Sequence, residues 1–191
     1  MSMTVNAPFG LRPAYSPSGV IRPTAFTIAN GYAANIYQNQ PVRIAPSTGA
    51  GETEGTIVAS AVGAAFIGAF QGVEFTDSDG RRRVSNKWTA SQVGTDIVAY
   101  ATLDPTIVYE IQSNAALTAA DIGGQYDFTA ASGSSVVGNS TQMLDVASLA
   151  NNASLRVVGI TPGSNNAWGD TYVVVQVQIA EHQNVADVAD Y

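Results

Sequence analysis

The sequence has no cysteine, one histidine and few charged residues. The lack of cysteine excludes disulfide frameworks, thiolate metal sites and cysteine nucleophiles, because each of them needs sulfur. With a single histidine, a transition-metal site would have to be built from carboxylates alone, so we expect no metal site and no cofactor. Charged residues make up 12% of the chain, which is about half of the roughly 25% that is usual in soluble domains.

Positive charge is especially scarce. The chain has 8 Lys and Arg against 15 Asp and Glu, which gives a formal net charge of −7. A general nucleic-acid binder needs Lys and Arg to displace phosphate counterions, so we expect no direct contact with nucleic acid. The longest apolar stretch, residues 57–70, is shorter than the ~20 residues that span a bilayer, and the start of the chain has no signal-peptide pattern. We therefore expect no membrane partner and synthesis in a cytoplasm.

The first 23 residues are punctuated by prolines, which remove amide donors and favour extended backbone. We therefore divide the chain into an extended N-terminal arm, residues 1–23, and a β-rich body, residues 24–191. The arm carries large apolar groups that would be costly to leave in water, so we expect it to lie on its own body or on a neighbour. Its predicted partner-binding residues are Phe9, Leu11, Arg12, Tyr15 and Ile21.

Beyond the arm, the hydrophobic pattern is typical of short β-strands separated by turns. The stretches that alternate are 94–100, 107–112, 155–160 and 171–179. Asp79-Gly80 predicts a tight hairpin turn, because this pair accepts positive φ angles. The Ala-rich stretch 59–70 is ambiguous between helix and strand, and its glycines and β-branched residues favour a strand.

Helical signals are confined to two single turns, one at 118–121 and one at 145–149. With 46% hydrophobic residues, the chain can bury the core of one domain. The predicted fold is therefore mainly β. We expect one β-barrel or β-sandwich domain of the β-tulip or jelly-roll kind, with an extended N-terminal arm and one or two short helical turns.

Half of the chain's basic charge lies in one short stretch, at Arg81, Arg82, Arg83 and Lys87. One interpretation is a contact with an acidic partner, to which the nearby Trp88 would add stacking. The alternative is that arginines on a hairpin pair with neighbouring Asp and Glu. Three adjacent arginines are too few to indicate DNA binding.

No residue pattern marks an active site, so we predict no catalytic residues and do not expect an enzyme. His182 follows a strand and is expected to be a surface or capping residue rather than a catalytic base. The string from Asp77 to Gly80 lacks the later ligands of a calcium loop, so we interpret it as a hairpin tip.

Several strings along nearly the whole chain resemble those of one group of proteins. The first is NAPFGLRP at residues 6–13. Others are GAFQGVEFTD at 68–77, GRRR at 80–83, YEIQ at 109–112, IGGQY at 122–126, STQMLD at 140–145, LRVVG at 155–159, NAWGD at 166–170 and IAEHQ at 179–183. In these strings the chain resembles structural proteins of tailed bacteriophages whose genes lie beside that of the major capsid protein.

The resemblance implies a virion structural protein, namely a head decoration or cement protein that binds the outer surface of the assembled capsid. Such proteins are small β-rich subunits, often trimers, that stabilise the junctions between capsomers. The implied partners are the major capsid protein and further copies of the same chain. The implied location is the capsid exterior, after synthesis in the cytoplasm of a host bacterium.

Three alternatives stay open. A head fibre, adhesin or tail protein that binds host-surface glycans would expose clustered aromatic residues such as Trp88 and Trp168 on one face. A small β enzyme would need two carboxylates roughly 5 to 10 Å apart in a cleft. A self-contained β domain with a disordered arm would lose its first twenty residues to proteolysis.

Overall fold

The computed structural model describes residues 5–45 and 55–185, and the protein is mainly β, with 41% strand and 3% helix. Parts of the predicted arm (1–4) and body (46–54 and 186–191) lie outside the described residues. The strands are β1 (Arg12–Tyr15), β2 (Thr24–Phe26), β3 (Ile36–Tyr37), β4 (Pro41–Ile44), β5 (Ile57–Ala59), β6 (Gly68–Thr76), β7 (Arg82–Ser85), β8 (Lys87–Trp88), β9 (Thr95–Ala101), β10 (Val108–Gln112), β11 (Gln125–Phe128), β12 (Leu144–Asp145), β13 (Leu155–Ile160) and β14 (Val174–Ile179).

The first sheet has six antiparallel strands in the order β1-β10-β14-β13-β11-β12. Its central strands come from the stretches with the clearest alternation, so the strand predictions at 107–112, 155–160 and 171–179 are confirmed. The first of these presents Tyr109 and Ile111 to the interior, and the last presents Val175 and Val177. Side chains of this face form the first hydrophobic core.

The second sheet has the order β2-β9-β6-β4-β5, with β7 beside β6, and a separate two-stranded ribbon pairs β3 with β8. The predicted turn at Asp79-Gly80 joins β6 to β7 and is confirmed, with the Gly80 amide bonded to the Asp77 carbonyl at 3.0 Å. The predicted strand over 59–70 is wrong for most of its length. Residues 60–67 lie outside the strands, because the chain turns at Gly63, whose φ is 73°.

Both predicted helical turns are present as 3₁₀ turns, Ala119–Asp121 and Val146–Ser148. The first is held by a reciprocal cap in which the backbone amide and the hydroxyl of Thr118 donate to the Asp121 carboxylate at 2.7 and 2.9 Å. In the second, Asp145 accepts from the amide of Ala147 at 3.2 Å. The two 3₁₀ turns thus lie in loops and close them.

Two hydrophobic cores meet along residues 66–70. Phe66 and Ala69 belong to the first core, whereas Ile67 and Phe70 belong to the second. Within the described ranges the strand orders are open ones, so the sheets do not form a closed barrel. The body therefore consists of several antiparallel sheets on two cores that share one segment of chain.

A buried hydrogen-bond chain ties the sheets together at this junction. The Ala69 amide donates to Thr102 Oγ1 at 2.8 Å, and that hydroxyl is also 2.8 Å from the Tyr109 hydroxyl. Burial raises the pKa of Tyr109 well above its ordinary value, so the phenol is protonated and able to donate. Gly68 allows the close approach, because a Cβ there would lie 2.1 Å from the Thr102 carbonyl oxygen.

Candidate interaction surface

The predicted arm lies on the body of its own chain in this structure. Its residues 12–15 form β1, which pairs with β10 at the edge of the first sheet. An edge position suits Pro13, which has no amide to donate to a second neighbour. We call residues 5–15 the N-terminal segment.

The start of the N-terminal segment is held by the side chain of Gln112. Its Oε1 accepts from the amide of Ala7 at 3.0 Å, and its Nε2 donates to the carbonyl of Val5 at 3.1 Å. A third bond runs from Nε2 to the Tyr172 carbonyl at 3.3 Å. The buried amide thus holds an extended backbone as a neighbouring strand would.

The middle of the segment, which carries the NAPFGLRP string, fits against Asn39 and Ser140. Asn39 donates from Nδ2 to the Phe9 carbonyl at 3.2 Å and accepts at its backbone oxygen from the Leu11 amide at 2.7 Å. Between these contacts Gly10 has a φ of 75°, and a Cβ on it would lie 2.5 Å from the Asn39 carbonyl oxygen and 2.7 Å from Ser140 Cβ. Glycine is therefore required here by both conformation and space.

The five predicted arm residues occupy different environments. Leu11 is fully buried in the first core, and Ile21 packs partly buried against that core. Arg12 forms an ion pair with Glu110 and places its guanidinium 4.5 Å from the centre of the Phe9 ring. Tyr15 is about half exposed.

Phe9 and Arg12 also line a surface pocket of about 330 Å³ with the loop from Thr161 to Asn166. The side-chain amide of Asn166 ties this loop to β14, since it donates to the carbonyls of Thr161 and Val174 at 2.8 and 2.7 Å. The pocket thus adjoins the N-terminal segment and is closed on its far side by a loop that is itself braced.

A mostly exposed linker, residues 16–23, joins the N-terminal segment to β2. Its start is fixed by Ser16, whose hydroxyl donates to Asp104 at 3.2 Å and whose carbonyl accepts from the Gly19 amide at 2.8 Å. Hydrogen bonds from Thr106 are the main reason why the pKa of Asp104 lies below its usual value. After this turn the linker borders a groove of about 690 Å³ whose far wall includes Leu103 and Asn184.

Three members of the predicted basic cluster, Arg81, Arg82 and Arg83, lie on the β6–β7 hairpin, and Lys87 lies on β8. Two of the arginines are neutralised by ion pairs. Arg83 Nε is 2.7 Å from Asp77 Oδ2, and Arg82 is 3.2 Å from Glu74 Oε2. The bond from Arg83 is the first cause of the lowered pKa of Asp77. For Glu74 the first cause of the lowered pKa is the hydrogen bond from the Tyr100 hydroxyl, at 2.7 Å.

The other two basic residues of the cluster have no carboxylate partner among the described residues. Arg81 is exposed at the hairpin turn, and the Lys87 ammonium donates to the carbonyl of Ser135. The ion pairs of Arg82 and Arg83 agree with the interpretation in which hairpin arginines pair with nearby acids. Arg81 and Lys87 are the members left for an acidic partner.

Beside this hairpin, three valines point into solvent. Val84 on β7 is 82% exposed, and Val136 and Val137 in the loop between β11 and β12 are 93% and 61% exposed. That loop is fixed by a bond from Asn86 Nδ2, between β7 and β8, to the Val137 carbonyl at 2.8 Å. The loop that carries Val136 and Val137 is therefore tied to the end of the hairpin.

The remaining residues that the sequence singled out are largely buried. Trp88 is fully buried in the second core and Trp168 packs partly buried against the first, so they form no exposed aromatic face. His182 is buried rather than at the surface. Its Nδ1 accepts from the Asn184 amide at 3.1 Å, and its Nε2 lies 3.0 Å from the Leu103 carbonyl, so a neutral ring with the proton on Nε2 satisfies both.

Among residues 5–45 and 55–185, no group of three or more His, Cys, Asp and Glu could hold a metal ion. In that part of the chain no helix is long and apolar enough to cross a membrane. Asp127 and Asp145 face each other on β11 and β12, but each binds a loop: Asp127 accepts from the Ser154 amide and Asp145 from Asn114. Neither carboxylate lines the pocket beside Phe9 or the groove beside the linker.

Sequence reasoning missed the residues that hold the N-terminal segment, Asn39, Gln112 and Ser140. Each is an ordinary polar residue within or next to a strand, and no local pattern distinguishes them. The signal that exists is in the segment itself, where Gly10 stands between two large apolar residues. No protein-family model, curated protein or solved structure gives a significant match to the chain.

Proposed function

We propose that this protein is a structural component of a tailed-phage virion, a decoration or cement protein that binds the outer surface of the assembled head. The observation that carries the proposal is the likeness of the NAPFGLRP string and the later strings to phage structural proteins. The structure adds that this string is an anchored element with a sterically required glycine, so its residues have a defined role. The finer fold assignment, a β-sandwich of the tulip or jelly-roll kind, belongs to the same proposal.

The proposed mechanism is stabilisation by binding. A protein that binds only the expanded, assembled lattice stabilises that lattice by its binding free energy, about 2.7 kcal/mol per site at a free concentration of 100 times Kd. Repetition over many sites multiplies the effect. The low charge content supports such a role, because neutral polar surface is easier to desolvate than charged surface.

Two parts of the described surface are suited to contacts with other subunits. The first is the N-terminal edge, where Tyr15 is half exposed beside β1. The second is the β6–β7 hairpin with the start of β8, where Arg81 and Lys87 lie near exposed valines. We assign the hairpin to an acidic capsid surface and the N-terminal edge to contacts between copies, with a trimer as the proposed oligomer.

The test is co-sedimentation of the purified protein with expanded capsids prepared without it, with unexpanded procapsids as the control. We expect saturable binding to the expanded capsids and a rise in their melting temperature. Absence of saturable binding would overturn the proposal.

The hairpin assignment has its own matched pair of variants. Arg81→Ala removes an unpaired exposed cation, whereas Arg22→Ala removes an exposed cation on the linker. We expect Arg81→Ala to slow association with capsids and to weaken its salt dependence, while Arg22→Ala leaves both unchanged. Equal behaviour of the two variants would remove the hairpin from the interface.

A further inference from the structure

We propose that the N-terminal segment, residues 5–15, exchanges between copies of this chain, so that each copy holds the segment of a neighbour. The exchange extends the proposed function by naming a second copy as the partner of the segment. It concerns the purified protein alone, so its test is independent of capsid binding.

The first reason is that the segment is bound as a peptide ligand would be. Four residues of the body hold it, and we call them the N-terminal groove: Asn39, Glu110, Gln112 and Ser140. Backbone hydrogen bonds to Gln112 and Asn39 supply affinity, and the tight fit of Gly10 and the buried Leu11 supply specificity. This combination of main-chain bonds and side-chain pockets is how sheet edges recognise extended peptides.

The second reason is that the segment is joined to the body only through the linker. Residues 17–20, 22 and 23 are exposed, and two of them are prolines. The described bonds that fix the linker involve Ser16 and Ser18, near its start, and farther along Ile21 packs partly buried against the first core.

The exchanged and unexchanged forms have similar free energies, because the two N-terminal segments that can occupy a groove have the same sequence. A neighbour's segment makes the same contacts in the groove as the chain's own, so exchange loses none of them. The remaining difference is the conformation of the linker and the local concentration of copies. A high concentration of the purified protein favours exchange, because intermolecular binding then competes with intramolecular binding.

The linker also restricts the partner. Its eight residues reach at most about 28 Å when fully extended, at about 3.5 Å per residue. The two grooves must therefore lie in subunits that touch each other. A second copy carries the same groove that this segment fits in its own chain.

The test uses the absence of native cysteine. Arg12 and Glu110 are opposite each other in the β1–β10 pair, so their Cα atoms lie at the ~4.5 to 5.5 Å of paired strands, within disulfide range. One chain carries Arg12→Cys and a second, tagged chain carries Glu110→Cys, and the two are co-expressed and oxidised. The control pair combines Arg81→Cys, at the distant hairpin turn, with Glu110→Cys.

Exchange predicts at least tenfold more disulfide-linked heterodimer from the Arg12→Cys pair than from the control pair. The double variant Arg12→Cys/Glu110→Cys tests whether these two positions can form a disulfide within one chain. If that disulfide forms and the two co-expressed pairs give equal yields of heterodimer, the proposal is overturned.

A second variant does not depend on thiol geometry. Deleting residues 17–19 shortens the linker, so the chain's own groove becomes harder to reach and exchange is favoured. We expect the shortened protein to form dimers or larger closed oligomers in light scattering, with the Leu11 amide still protected from hydrogen exchange by its bond to the Asn39 carbonyl. A monomer whose Leu11 amide exchanges rapidly would overturn the proposal.

Discussion

Replacement of Gly10 by alanine tests how the N-terminal segment is bound, and Gly19 provides a matched control. The two glycines have similar backbone conformations, with φ of 75° and 82°. A Cβ on Gly10 would lie 2.5 Å from the Asn39 carbonyl oxygen, whereas a Cβ on Gly19 would have no heavy atom within 4 Å. The two substitutions therefore share the conformational cost and differ in the steric one.

The expected magnitudes follow from these distances. Alanine in the left-handed region costs about 1 to 2 kcal/mol, partly offset by about 0.4 to 1 kcal/mol of unfolded-state entropy, so we expect Gly19→Ala to destabilise by about 1 kcal/mol. Gly10→Ala adds an overlap with backbone and Ser140, for which overpacking typically costs about 1 to 3 kcal/mol. The expected total for Gly10→Ala is about 2 to 4 kcal/mol.

Urea denaturation followed by tryptophan fluorescence measures both values, because Trp88 is fully buried and Trp168 partly so. Hydrogen exchange at the Leu11 amide, which donates to the Asn39 carbonyl at 2.7 Å, reports locally on the groove. We expect faster exchange there in Gly10→Ala and unchanged exchange in Gly19→Ala. Free energies that agree within about 0.5 kcal/mol, the usual error of additivity, would refute the close fit of Gly10.

Three further substitutions have defined outcomes. Leu11→Ala removes a fully buried side chain of the first core and should cost about 2 to 5 kcal/mol in urea unfolding, which an arm that contacted only a partner would not show. Tyr109→Phe removes the hydroxyl bonded to Thr102 and should cost about 0.5 to 1.5 kcal/mol, measured in the same way. Burial lowers the pKa of His182 below its ordinary value of about 6.5, so the unfolded chain binds the proton more readily. The contribution of His182 to the free energy of unfolding should therefore be complete above pH 6.5 and should decrease as the pH drops from 6.5 through the lowered pKa of the folded state. In His182→Asn this pH dependence should be absent from unfolding curves measured between pH 5 and 8.

The parts of the fold that were predictable are those with a local physical cause. Alternation of apolar side chains placed β10 and β14, and Asp79-Gly80 placed the hairpin, because pleat and turn geometry act on neighbouring residues. The stretch 59–70 failed because small residues there serve a turn and a close backbone approach at Gly63 and Gly68 rather than a single strand.

The candidate surface was predictable only in part, because its contacts join residues that are far apart in the sequence. Pro13 and its neighbours predict an extended segment without a central strand, and the segment contains an edge strand. Which side chains would hold it depends on contacts of about a hundred residues in sequence separation, such as Ala7 with Gln112. Likewise, the apolar pattern of the arm gives no indication that Leu11 belongs to the core of its own chain.

The shared segment 66–70 has a mechanical consequence. A pull on the first sheet passes from β10 through Tyr109 and Thr102 to Ala69, and from there directly into the second sheet. The hydrogen-bonded residues along this path are buried, so force crosses the body without reaching an exposed loop. Tension applied to one sheet is therefore carried to the other through buried bonds, so the two sheets resist it together.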